Sequence, residues 1–157
     1  MTEFREEQRF EWYWTVLLLL PALLVGYGIY RHVAAASLLW PAFAVALVVG
    51  VWFLRLKLVT EAHDDGLFIC FEWLWPERTI PWGDIKAVEA RTYRPIRDFG
   101  GWGVRWAARG IVYHARGNRG ARMILASGER VLVGSQRAAE LVQAIATRTG
   151  LQAGPIK

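Results

Sequence analysis

Only one cysteine, Cys70, stands in the 157 residues, so the chain forms no internal disulfide and builds no thiolate metal site by itself. This agrees with a reducing compartment, and on its strand pattern Cys70 reads as a small core residue. Histidine is nearly as scarce. His32, His63 and His114 lie in three separate segments without metal-ligand spacing, and no glycine-rich phosphate loop is present. His63 with Asp64 and Asp65 makes an ordinary solvated turn, and Ser135, imagined as a nucleophile beside His114, is explained by helix capping. No catalytic constellation, metal or cofactor is therefore expected.

Charge is missing from two long stretches, Trp14 to Tyr30 and Val33 to Leu54, interrupted only by Arg31 and His32. Each is about the 17 to 25 residues that a helix needs to cross roughly 30 Å of hydrocarbon. The expectation is a transmembrane hairpin over 12–54, with helices at about 12–30 and 33–54 after a polar lead over 1–11. Trp12, Tyr13, Trp14, Trp52 and Phe53 would mark one interface and Tyr27, Tyr30 and Trp40 the other. Arg5, Arg9, Arg55 and Lys57 outnumber Arg31, which would put both termini in the cytoplasm of a multi-pass inner-membrane protein. Small residues repeat at Ala22 and Gly26 and at Ala42, Ala46 and Gly50, either pairing the two helices or making a subunit contact. Pro21 removes a donor in mid-span and would kink the first helix. A cleaved signal peptide ending near Ala34, Ala35 and Ala36 competes, but the acidic lead and the long apolar stretch oppose it.

Acidic residues are almost absent from Arg91 to Arg122, where Asp98 alone faces eight arginines. This basic segment, in a chain of formal charge +5, would respond to an anionic partner or lipid surface. The arginine excess over lysine also fits a bias of base composition.

The remaining hundred or so residues suffice for one domain. Alternation predicts strands at 55–61, 67–71, 78–81, 86–93, 110–116, 121–126 and 130–134, joined by turns such as Asp65-Gly66, Asn118 to Gly120 and Ser127-Gly128. Glu72 to Pro76 reads as a wide turn carrying two exposed aromatics, Trp73 and Trp75. Ser135 then reads as the N-cap of an amphipathic helix over about 136–149, with Ala138, Leu141, Val142 and Ile145 on one stripe and Gly150 as its stop.

The order of elements, with Ile80-Pro81-Trp82 before Asp84-Ile85, Gly101-Trp102-Gly103-Val104-Arg105, and Val133-Gly134-Ser135 before the helix, resembles small bacterial membrane proteins carrying a pleckstrin-homology-like domain. The resemblance implies an α+β membrane protein: a two-helix transmembrane hairpin followed, over 55–157, by a PH-like seven-strand bent antiparallel barrel capped by a C-terminal helix. It implies little about function. Phosphoinositide-binding members resemble one another in a basic first hairpin, whereas this one reads His63-Asp64-Asp65-Gly66 and would repel a polyphosphate.

The loop from Arg94 to Arg109 is the best candidate contact surface. Phe99, Trp102 and Trp106 supply aromatic area and Arg97, Arg105 and Arg109 supply charge; alternatively Trp102 fills the core. The expected function is a non-catalytic, membrane-anchored interaction or assembly module with a protein partner. Homo-oligomerisation is compatible with it. A lipid-sensing module reading anionic headgroups of the bilayer is the alternative, and a membrane-bound enzyme a distant one. A basic patch alone is not a nucleic-acid motif, so no nucleic acid is expected.

Overall fold

A computed structural model describes residues 4–31, 39–107 and 110–154. The chain divides into two units, one of Met1–Arg9 with Lys57–Lys157 and one of Phe10–Leu56.

The larger unit holds two sheets. The first is antiparallel in the order β1 (Arg5–Arg9), β2 (Lys57–Ala62), β3 (Gly66–Glu72) and β4 (Trp75–Pro81). A 3-10 turn at Trp82–Asp84 leads from β4 into β5 (Ile85–Thr92), which opens the second sheet. After the short helix α3 (Pro95–Phe99) follow β6 (Gly103–Ala107), β7 (Gly110–His114), β8 (Arg119–Leu125) and β9 (Arg130–Gly134). They line up as β5-β8-β9-β7-β6, antiparallel except for the parallel β7/β9 pair. A glycine is required where that pair begins, since a Cβ on Gly110 would stand 1.8 Å from the Arg130 carbonyl oxygen. The helix α4 (Ala138–Thr149) lies against β5 and β8 and stops at Gly150 in the left-handed region.

Strand alternation sends Leu58, Leu67, Ile69, Phe71 and Ile80 of the first sheet, and Met123, Val131 and Val133 of the second, into a core completed by Leu141 and Ile145 of α4. Each such burial is worth roughly 1.5–3 kcal/mol. Polar links supplement it. Arg78 on β4 donates twice to the Glu129 carboxylate between β8 and β9, at 2.8 and 2.7 Å. That guanidinium holds the Glu129 pKa below its ordinary value.

Three expectations are corrected. The closed seven-strand antiparallel barrel is replaced by two sheets, of four and five strands, that include β1 and β6 and one parallel pair. Residues 5–9 lie in β1, paired with β2 from Arg5↔Glu61 to Arg9↔Lys57, so they are part of the larger unit's sheet. Third, the transmembrane hairpin is not found: among the described residues no helix is long and apolar enough to cross a membrane. In Phe10–Leu56, α1 (Trp12–Arg31) has 20 residues, yet its aliphatic stretch is split by Pro21 and bounded by Thr15 and Gly26. The second helix, α2, is described over Leu39–Arg55. Freedom from charge overstated the apolar length. With the spans go the multi-pass inner-membrane location and the resemblance to bacterial PH-like membrane proteins. The expected turn at His32, the second helix's start at Val33 and Ala34 to Ala36 lie outside the described residues.

The two helices do pack on each other. Gly26 faces α2, where a Cβ on it would meet the Phe43 ring at 3.0 Å, and Ala22 is buried. This is the close approach that small residues permit.

Candidate functional site

The outermost strands β4 and β6 each present a tryptophan. Trp75 opens β4 and Trp106 lies near the end of β6; their ring centroids are 6.2 Å apart at 78°, an edge-to-face pair. Trp106 is 75% exposed. Next to Trp75, the β3–β4 turn is closed by the Leu74 N–H donating to the Phe71 carbonyl at 3.0 Å, and it carries Trp73, 68% exposed. Leu74 lies over β6, its Cδ2 3.7 Å from where a Gly103 Cβ would stand.

The Trp73 backbone has φ 64°, the left-handed region that a bulky L-residue adopts at a cost of about 1–2 kcal/mol. It is the one non-glycine residue with positive φ among those described. Its indole is largely in water and so adds little to the packed core.

The expected loop residues do not converge on one surface. Arg97 is exposed on α3. Phe99, half-buried, packs edge-on against Tyr93 and His114, with centroids at 5.7 and 5.8 Å. Trp102 is half-buried, and Arg109 lies outside the described residues. Arg105 and Trp106 are both exposed, but as consecutive strand residues they point to opposite faces of the sheet. The structure thus brings Trp106 to Trp75 rather than to Phe99 or Trp102. Trp73 and Trp75 are exposed as the sequence leads one to expect, but Trp75 opens β4 instead of lying in the turn. The pairing with Trp106 depends on β6, which the glycine-rich loop concealed.

The residues considered for chemistry are inward and separate. The Ser135 hydroxyl is buried and donates to the Glu6 carboxylate at 2.5 Å, while accepting from the Arg137 N–H at 3.0 Å. The helix itself begins at Ala138, so Ser135 supports the turn before it rather than capping it directly. His114 is fully buried among Tyr93 and Phe99, and neither ring nitrogen makes a hydrogen bond of ordinary geometry. Burial lowers its pKa from 6.5 to about 4; the nearby Arg105 charge adds to the fall, and the Gly101 main chain opposes it. His63 stacks on Phe68 and bonds Glu61 at 2.8 Å. Among the described residues no three metal-binding side chains come together.

No family model, curated protein or solved structure matches the chain.

Proposed function

We propose that the two-sheet unit is a non-catalytic protein-interaction module that docks its partner on Trp73, Leu74, Trp75 and Trp106. The observation that carries this reading is the exposed Trp75–Trp106 pair bridging the edge strands of the two sheets. Tryptophan dominates interface hot spots because its large rigid ring buries much area at small entropic cost. Edge strands also offer unpaired backbone groups to an extended segment of a partner. The left-handed Trp73 supports the same reading, since strained backbone positions cluster at ligand and partner contacts.

The test is co-isolation from the native cells with the full chain and with the Trp75→Ala/Trp106→Ala variant. A stoichiometric partner, or a second copy, held by the first and lost by the second is expected. Equal retention by both would overturn the reading.

A further inference from the structure

The face of the five-stranded sheet opposite to Trp106 carries a different arrangement. Glu89, Arg122, Leu132, Val112 and Arg105 form one cross-strand row over β5, β8, β9, β7 and β6. Alternation puts Arg91 of β5 and Arg130 of β9 on the same face. Four arginines thus share a surface with a single carboxylate, Glu89.

A cavity of about 270 Å³ opens there. Arg91, Arg122 and Arg130 border it, and Phe99, Val112 and Leu132 are among its apolar lining. Val112 and Leu132 are buried with Tyr93 in one cluster, and Phe99 of α3 packs against that cluster. The apolar side of the cavity is therefore held by packing.

The charged side includes one buried donor without an acceptor. Arg122 gives one terminal nitrogen to Glu89 at 2.5 Å, while its Nε–H is buried with no acceptor. Among the described residues neither Arg91 nor Arg130 forms an ion pair. A buried donor without a partner costs roughly 1–3 kcal/mol, which an incoming acceptor removes. Guanidinium groups recognise oxyanions with paired, directed donors.

We infer that this cavity binds a small amphiphilic oxyanion, its head among Arg91, Arg122 and Arg130 and its apolar body on Phe99, Val112 and Leu132. The volume, just below the usual pocket range of about 300–1,000 Å³, fits a short-chain or single-ring body rather than a long lipid. Glu89, outside the cavity lining, pairs with Arg122 and neutralises part of its charge, which disfavours heads of high charge.

Calorimetry on the full chain with octyl phosphate, inorganic phosphate, octanol and phosphatidylglycerol vesicles tests this. Octyl phosphate is expected to bind one per chain, more tightly than inorganic phosphate or octanol. In the Arg91→Gln/Arg130→Gln variant, whose changes fall on exposed side chains and leave thermal unfolding as it was, affinity is expected to fall by about tenfold or more. Equal binding of inorganic phosphate removes the apolar half of the inference, and equal binding of octanol removes the anionic half. Binding to vesicles without binding to octyl phosphate assigns the charge to a surface and overturns the cavity. An unchanged affinity in the variant overturns it also. Trp75 and Trp106 stay intact in that variant, so either result leaves the docking surface standing.

Discussion

Glu6 and Ser135, 129 residues apart in the chain, are joined by a buried 2.5 Å hydrogen bond. The other Glu6 oxygen accepts the Gln136 N–H at 2.8 Å, and two residues on, Gln8 donates to the Gly134 carbonyl at 2.7 Å. Strand β1 thereby fastens the edge of the four-stranded sheet to the end of β9 and the segment before α4. Glu6→Ala leaves two donors without an acceptor, and destabilisation of about 2–4 kcal/mol in urea unfolding is expected. Ser135→Ala removes one side of the same network. The double variant should lose less than the sum of the two single losses, because the groups share one interaction. Full additivity would show that the bond contributes nothing to stability.

Acid should weaken the fold through His114. In the unfolded chain this ring takes up a proton near its ordinary pKa of 6.5, whereas in the folded protein it does so only near about 4. Above 6.5 both states are neutral there and stability is complete; between 6.5 and about 4 the unfolded state binds the extra proton and stability falls. The full span is on the order of 3 kcal/mol. Glu129, held low by Arg78, adds a loss of the same sign at the acid end. His114→Phe keeps an aromatic ring against Tyr93 and Phe99 and removes the titration. Comparing urea midpoints of the two proteins at about pH 7 and about pH 4.5 should show a smaller acid loss in the variant; equal losses would contradict the burial argument.

Trp73 should show a trade of stability against binding. Trp73→Gly relieves the left-handed backbone at φ 64°, partly offset by the greater freedom of glycine in the unfolded chain. Thermal unfolding should therefore stay level or rise, by up to about 1 kcal/mol, while partner binding weakens. A marked loss of stability would mean that the indole is part of the fold.

Most strands were legible because their buried members are apolar. Leu67, Ile69 and Phe71 in β3, or Val131 and Val133 in β9, announce period two. Strand β1 was hidden because its buried residues are Glu6 and Gln8, polar groups whose partners lie more than a hundred residues away. Strand β6 was hidden among Gly100, Gly101 and Gly103, all of them in the positive-φ region. From Trp14 to Tyr30 charge is absent, yet Pro21, the glycines and the flanking aromatics shorten the apolar length. Site residues suffered from the same locality. A loop was read as one surface, but alternation within β6 parts Arg105 from Trp106, and the partner of Trp106 comes from β4. Arg91 and Arg122 belong to a basic run in the sequence, and only the register shows that they and Arg130 stand on one face.

The most direct test of the interaction reading is hydrogen exchange on the full chain, measured free and with the co-isolated partner. Slowed exchange is expected only in the β3–β4 turn, β4 and β6, with loss of that protection in Trp75→Ala/Trp106→Ala while the core strands exchange as before. Protection elsewhere, with Trp73 to Trp75 and β6 unchanged by the partner, would contradict it.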